Sequence, residues 1–477
     1  MNFKSQVIGG LGWVAGTNFL GQLATWSITI VVMRLLSPTD YGLLAMASVF
    51  VAFLGLMATA GLGPAIVQAG TLDDAILRQL LGLIIIVNAV LFCLLYFAAP
   101  IIADFFDEPR LVVIVRVLSS QFVISCFSVI PESLLARALK FKIRALVNLG
   151  AQLAGGALTL ALAFSGYGVW SLVAGAIFST TINMVGVNFA APYLHWPHFS
   201  FLGAGTLISF GGKVTAGRVL WFFYSQADMF VAGKLLGKEA LGFYSVAMHL
   251  ASLPVQKVSG ILNQVAFPAF SKIQNDSATV KLHVLKSVRI LSFLSFPVLW
   301  GISSIAPEIV QLLLGPKWEP AILPLQILPM IMPLRMISNF LPSAVDAIGR
   351  PDITMKNLIG ASIIMPVAFL IGCQWGVKGL CIAWLVGFPL VFLINLMRLL
   401  PAINIRVRDL MGSMIRPALS SMLMYGSVAL VRLSMPEEGY VEWRLPVMIL
   451  VGALVYGGVA MTANRKDFQE VLGALKR

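Results

Sequence analysis

Apolar runs long enough to cross a membrane follow one another along almost the whole chain. They fall roughly at 10–33, 42–67, 80–103, 111–131, 145–165, 168–191, 205–230, 240–263, 287–313, 320–346, 353–373, 376–397, 413–433 and 445–463. A helix needs about 20 predominantly apolar residues to span the hydrocarbon layer. The pattern predicts an all-α, polytopic membrane protein of about fourteen spans. A porin-type barrel is excluded, because its strands would be only about 10 residues long and would alternate in polarity. No connecting segment is long enough for a soluble catalytic domain. The largest, Pro268–Lys286, is expected to be a loop with room for a short amphipathic surface helix.

Several runs carry polar residues at helical spacing, which puts them on one face. In the first these are Asn18, Gln22, Thr25 and Thr29, and in the fourth Gln121, Ser125, Ser128 and Glu132. The eighth carries Ser245, His249, Ser252, Gln256, Ser259 and Asn263; in the tenth, Arg335, Asn339 and Asp346 share a face. A single Ser or Thr in a span is explained by interhelical hydrogen bonding, worth about 0.6 kcal/mol per contact. A polar line along the whole eighth run exceeds what packing needs and predicts a water-lined face. The tenth run also holds Pro324, Pro329, Pro333 and Pro342. They predict kinks, and the sharper reading makes them hinges.

The stretch Phe210–Leu236 reads as a span yet contains Lys213, Arg218 and Asp228. An ionisable side chain near mid-bilayer costs roughly 2.5–3.5 kcal/mol on the least demanding scale, and such a group faces a bundle interior or a wet cavity. Lys213 and Arg218 are five residues apart, about 140° around a helix, so one narrow face does not hold both. Arg218 is assigned to the cavity and Lys213 to the cytoplasmic headgroups by snorkelling.

This stretch also opens a second copy of the chain. Arg34-Leu35-Leu36, Gly42 and Ala47 recur at a constant shift as Lys234-Leu235-Leu236, Gly242 and Ala247. Further on, Glu108-Pro109 resembles Glu319-Pro320, Pro131 at the end of a span resembles Pro342, and Gly168-Val169 resembles Gly376-Val377. The expected division is an N-lobe of six spans over 1–197, a C-lobe of six over 198–400, and two extra spans with a tail over 401–477. Even-numbered halves share one orientation, related by an axis along the membrane normal. Asn18 then matches Arg218 and Thr25 matches Ser225, so all four should face one pseudo-symmetric cavity.

Composition adds two points. The chain is 59% hydrophobic and 11% charged, against about 25% charged in soluble domains. Its net charge of +13 does not imply nucleic acid, because basic loops are what the positive-inside rule requires. Arg137, Lys140, Lys142 and Arg144 mark one basic loop, and Arg406, Arg408 and Arg416 another. Both termini are thereby assigned to the cytoplasm. Cys93, Cys126, Cys373 and Cys381 lie in apolar runs and are read as core residues. His195 and His198 sit in an aromatic linker suited to the headgroup layer, and no metal or cofactor is expected.

The substrate-binding candidates are Arg218, Arg335, Lys257, His249, Asn18, Gln22, Thr25, Ser225, Ser252 and Gln256. Asp228, Asp346 and Glu132 are candidates for ion coupling, with structural ion pairs as the plainer alternative; Arg116 is open between cavity and salt bridge. Positive charge exceeds negative in this set. A buried, hydrated, positive groove attracts phosphate, to which Arg offers a bidentate contact.

Four segments carry a family resemblance: Val32–Gly42 (VMRLLSPTDYG), Pro131–Lys142 (PESLLARALKFK), Gly166–Val173 (GYGVWSLV) and Asp228–Gly237 (DMFVAGKLLG). Together and in order they resemble the Wzx-type polysaccharide transporters, near their WzxC-like branch, in the multidrug/oligosaccharidyl-lipid/polysaccharide exporter superfamily. The linker departs from relatives that carry arginines where this chain has His195 and His198. The resemblance implies a flippase rather than an enzyme. It would move an undecaprenyl-diphosphate-linked oligosaccharide from the cytoplasmic to the periplasmic leaflet of a bacterial inner membrane by alternating access. Implied partners are that substrate, membrane lipids and other polysaccharide assembly proteins. Rival readings are a peptidoglycan lipid-precursor flippase, a multidrug exporter of the same superfamily, whose cavity would be acidic, and a membrane glycosyltransferase or polymerase.

Overall fold

In a computed structural model of the chain, helices connected by short turns make up nearly all the described residues, and no strand occurs among them. The structure describes residues 24–58, 73–193, 195–199, 205–435 and 441–462, with positions 21, 66, 464 and 469; at 205–218, 257, 260–265 and 441–442 it describes the backbone alone. Nine helical stretches among these are long and apolar enough to cross a membrane, or ten counting one bent pair. The expected run 10–33 lies mostly outside the described residues. The expected pair 353–373 and 376–397 appears as two helices, Pro351–Gly372 and Gly376–Ala402, joined by the one-turn 3-10 helix Cys373–Trp375. The chain packs as two compact units, Met1–Gly242 and Phe243–Arg477.

The first unit contains α1 (Ala24–Leu35), α2 (Pro38–Ala58), α3 (Asp74–Phe106), α4 (Leu111–Ser125), α5 (Val129–Arg137), α6 (Phe141–Phe164), α7 (Val169–Ala190) and the first arm of α8 (Gly205–Lys272). The segment Ser37-Pro38-Thr39-Asp40 has a local physical reason. Ser37 caps α2: the Asp40 amide donates to its hydroxyl at 3.2 Å, and the Ser37 amide donates back to Asp40 Oδ2 at 3.0 Å. This is a capping box with proline at the first helical position, where no N–H is missed. The other Asp40 oxygen accepts from the Val169 amide at 3.0 Å, so one carboxylate caps α2 and seats α7.

Pro131 was expected to end its span; instead the chain bends by 46° before it, between α4 and α5, and helix continues to Arg137. A proline in a helix's first turn removes no intrahelical bond. The bend is stabilised from outside by Asn188 of α7, which donates to the Phe127 carbonyl at 2.9 Å, and from within by Ser128 Oγ, which donates to the Ser125 carbonyl at 2.8 Å.

The second unit holds the rest of α8, then α9 (Ser277–Ser304), α10 (Ala306–Ile309), a π turn (Val310–Leu314) and a 3-10 turn (Pro316–Ala321). There follow α11 (Ile322–Ala347), α12 (Pro351–Gly372), α13 (Gly376–Ala402), α14 (Val407–Ser434) and α15 (Val441–Thr462). The expected loop Pro268–Lys286 does not exist as a loop. Helix α8 runs through Pro268 to Lys272, and α9 starts at Ser277, capped by Asp276, which accepts from the Ala278 and Thr279 amides. Lys272 therefore ends α8, and Lys281 and Lys286 lie in the first three turns of α9. The proline-rich α11 is held to α9 by side chains: Trp300 Nε1 donates to the Met330 carbonyl at 3.0 Å, and Ser303 Oγ to that of Gln326. A buried carboxylate, Glu308, receives Arg432 at 2.8 Å and Arg444 at 3.6 Å, fixing α14 and α15 onto α10. Three of the four cysteines are buried as expected; Cys93 is exposed instead, on an outer face of α3.

Candidate functional site

In the second unit, the expected polar line on α8 is an accessible face. Ser245, Ser252 and Ser259 are half-buried and His249 and Gln256 exposed, while Val246, Ala247, Ala251 and Val255 on the opposite side are buried. The line bonds along itself: Gln256 Nε2 donates to Ser252 Oγ at 3.1 Å, and Ser252 Oγ to the His249 carbonyl at 3.1 Å. The Lys257 side chain lies outside the described residues.

Helix α11 shows the same arrangement. Arg335, Ser338, Asn339, Ser343 and Asp346 are half-buried, and Met336, Ile337, Phe340 and Leu341 are buried behind them. The Arg335 guanidinium lies 4.7 Å from the centre of the Trp384 ring of α13. Trp384 Nε1 in turn donates to the Tyr244 hydroxyl of α8 at 2.8 Å. An Arg on an aromatic face keeps its in-plane donors free for a planar acceptor. No carboxylate lies within ion-pair distance of Arg335 among the described residues. Trp384 and Tyr244 were not anticipated; only their fixed relation to Arg335 marks them.

In the first unit, α8 breaks at Gly237 (φ 78°, ψ 179°), a conformation open to glycine and strained for other residues. Just beyond this elbow, residues 238–242 cross the start of α2 with no side chain between the backbones. A Cβ added to Gly42 would sit 1.7 Å from the Lys238 carbonyl oxygen, and one added to Gly242 would sit 1.9 Å from that of Pro38. Residues 38 and 238, and 42 and 242, are the positions the repeat matches. The crossing therefore joins positions that the sequence repeat pairs with one another.

A charged clamp surrounds the elbow. Lys234 pairs with Asp107 at 2.7 Å, and Glu108 takes both Arg110, at 2.8 Å, and Lys238. Glu108 is only 7% exposed. Burial pushes its carboxyl up, and the hydrogen bonds and charges of Arg110 and Lys238 outweigh that and hold it below its usual range. Such a group contributes stability above its unfolded pKa, about 4.3, and loses it as pH falls through the folded value. Glu108→Gln is therefore expected to lower the melting temperature in detergent by a few degrees, equally at about pH 6 and 8, with the difference closing below about pH 4. A difference that persists undiminished in acid would contradict the clamp.

The remaining candidates divide as follows. Asn18 and Gln22 lie outside the described residues, and Arg218 is described as a backbone position of α8. Thr25 Oγ1 donates to the Gly21 carbonyl at 2.8 Å and Ser225 Oγ to that of Phe222 at 3.1 Å, so both hydroxyls bond within their own helix. Asp228 is buried, Asp346 accepts from Thr354 Oγ1 at 2.7 Å, and Glu132 accepts from Asn183 at 2.7 Å with Arg144 at 3.9 Å. Arg116 lies 4.8 Å from the Tyr96 ring centre and donates to the Tyr96 carbonyl, in place of a salt bridge.

Comparison with known proteins agrees with this architecture. The model of a family described as "Polysaccharide biosynthesis protein" matches residues 31–323. The teichuronic acid biosynthesis protein TuaB of Bacillus subtilis is 26% identical over 95% of both chains. The lipopolysaccharide biosynthesis protein WzxC of Escherichia coli is 25% identical over 83% of this chain and 80% of its own. Among solved structures, the lipid II flippase MurJ in an inward closed conformation superposes with a TM-score of 0.74 at 16% identity, covering 95% of this chain and 99% of that one. An inward-facing multidrug resistance transporter of the MATE family has a TM-score of 0.61 at 16% identity, covering 80% and 96%. At that identity these structures speak for the fold alone.

Proposed function

The chain belongs to the polysaccharide biosynthesis protein family, and from that premise we propose that it is a flippase for a lipid-linked oligosaccharide. The substrate is an undecaprenyl-diphosphate carrying one oligosaccharide repeat unit, moved from the cytoplasmic to the periplasmic leaflet of the inner membrane. The observation that carries this reading is Arg335: a half-buried guanidinium, paired with no carboxylate among the described residues, linked through Trp384 and Tyr244 to the helix with the polar line. An arginine held ready in a site of low dielectric recognises a diphosphate through paired N–H donors. Arg218 and Lys257 add charge from α8, and His249, Ser252 and Gln256 offer hydrogen bonds to sugar hydroxyls. Asn18, Gln22, Thr25 and Ser225 are the matching polar positions of the other copy. A cavity built for organic cations would present carboxylates instead.

The halves 1–197 and 198–400 act as the two lobes of alternating access, with 401–477 appended. The basic loops and both termini lie in the cytoplasm. Asp228, Asp346 and Glu132 are the acids through which a proton or sodium gradient would act. Removal of the protein is expected to make the undecaprenyl-diphosphate-linked repeat unit accumulate, which mass spectrometry of extracted lipids reads directly. Accumulation of the peptidoglycan precursor, or normal lipids with altered sensitivity to organic cations, would overturn the assignment.

A further inference from the structure

A second site lies in the first unit, at the end that carries the basic loop between α5 and α6. The linker 195–199 is strapped along the first turns of α3. Arg78 Nε donates to the Trp196 carbonyl at 2.9 Å, and the His198 amide donates to the Arg78 carbonyl at 2.9 Å. Gly82 permits this approach, since a Cβ there would sit 2.5 Å from the His198 carbonyl oxygen. Between strap, α3, the α4–α5 bend and the end of α7 opens a cleft of about 570 Å³. Its walls are apolar, including Leu81, Ile85, Phe127, Ile130 and Val185. Phe189 and Trp196 stand at its mouth, 88% and 83% exposed. Such aromatics belong at the boundary between hydrocarbon and headgroups.

Three groups that the transport reading does not use lie at the strap side of the cleft: Tyr193 in its lining, and Asp74 and Arg78 of α3, which hold the strap residues His195 and Trp196. Tyr193 lines the cleft, is only 9% exposed, and its hydroxyl has no hydrogen-bond partner among the described residues. A buried hydroxyl without a partner costs about 1–3 kcal/mol, so an occupant that accepts from it is favoured. Both Asp74 and Arg78 act on this hydroxyl electrostatically. They sit four residues apart on α3, neighbours on one helix face. Even so, they do not form an ion pair: Asp74 pairs with His195 at 3.4 Å, and among the described residues Arg78 uses only Nε, on Trp196. A positive and a negative group are thus held apart at the mouth of an apolar cleft, beside a buried donor.

We propose that this cleft is a resident-lipid site for a zwitterionic aminophospholipid. One acyl chain lies in the cleft, the phosphate takes the terminal N–H donors of Arg78 and the Tyr193 hydroxyl, and the ammonium faces Asp74. Charge complementarity selects this occupant. A polyprenyl diphosphate or a purely anionic phospholipid brings no cation for Asp74.

The test uses the full chain purified in a mild detergent. Dioleoyl phosphatidylethanolamine or dioleoyl phosphatidylglycerol is added in mixed micelles, with thermal unfolding and native mass spectrometry as readouts. Wild type should retain one phosphatidylethanolamine and gain thermal stability from it, and phosphatidylglycerol should do neither. Tyr193→Phe removes one oxygen and leaves the packing intact. It should weaken retention about tenfold, the loss of one hydrogen bond to a charged group. Asp74→Asn should bring the two lipids level. Equal effects of both lipids on wild type, or an unchanged preference in Tyr193→Phe and Asp74→Asn, would mean annular lipid only and overturn the proposal. So would preferential retention of undecaprenyl phosphate, which would make the cleft part of the substrate path.

Discussion

Arg218→Ala is expected to abolish surface polysaccharide while leaving the protein in the membrane at its normal level. The repeat supplies the reason. Position 218 is the mate of Asn18, so the second half sets an arginine where the first sets a neutral amide, on the arm of α8 that runs to the Gly237 elbow. If that arginine grips a diphosphate in a desolvated site, removing it leaves a phosphate charge unmatched. Truncating one partner of a buried, hydrogen-bonded charge pair costs about 2–5 kcal/mol, roughly 30- to 4,000-fold in binding. Arg218→Lys keeps the charge but loses the fork, and should fall between the two. Membrane fractionation with quantification of surface polysaccharide reads both quantities. Undiminished polysaccharide from the alanine strain would remove Arg218 from the site.

Gly42→Ala should be nearly as damaging, although it adds only one methyl group. The obstacle is a carbonyl oxygen of the backbone, 1.7 Å from where the Cβ would sit, and no rotamer change relieves it. The start of α2 and residues 238–242 have to separate, which also stretches the Glu108–Lys238 pair. Overpacking of this kind costs about 1–3 kcal/mol in stability. Because Gly242→Ala faces the obstacle at the repeat-matched position, 1.9 Å from the Pro38 oxygen, both substitutions force the same separation. The double variant should therefore lose less than the sum of the single losses, by about 0.5–3 kcal/mol of coupling. Thermal unfolding of the four proteins closes the cycle, and export assays run in parallel. Strict additivity would mean the two crossings relax independently and are not one contact.

The all-helical, polytopic membrane character was legible because it is written in local pattern. The start of α2 at Pro38 precedes the expected run 42–67, because Ser37, Pro38 and Asp40 form a capping box that carries no apolar signal. The polar faces of α8 and α11 follow from 3.6-residue periodicity, and the buried residues behind them follow the same rule. What stayed hidden depends on partners distant in sequence. The bend before Pro131 is fixed by Asn188, and the elbow clamp by Asp107 and Glu108 meeting Lys234 and Lys238. The segment expected as a loop from Pro268 is helical instead, with Pro268 inside α8. Nor does a sequence say where a hydroxyl points. Thr25 and Ser225 fall on the predicted positions, yet each bonds to a carbonyl of its own helix. That bond leaves the oxygen able to accept a further donor, which is a smaller role than the periodicity suggested. Arg335 was legible as a charge in a span; its seat on Trp384 was not.

The most direct measurement reconstitutes the purified chain in vesicles whose inner leaflet holds an undecaprenyl-diphosphate-linked oligosaccharide, and follows the appearance of the sugar outside. The wild type should expose it far faster than protein-free vesicles, and Arg218→Ala and Arg335→Ala should each return the rate towards that background. Sugar that emerges equally fast with either arginine removed, or no faster with the wild type than with lipid alone, would contradict a basic site that carries the diphosphate across.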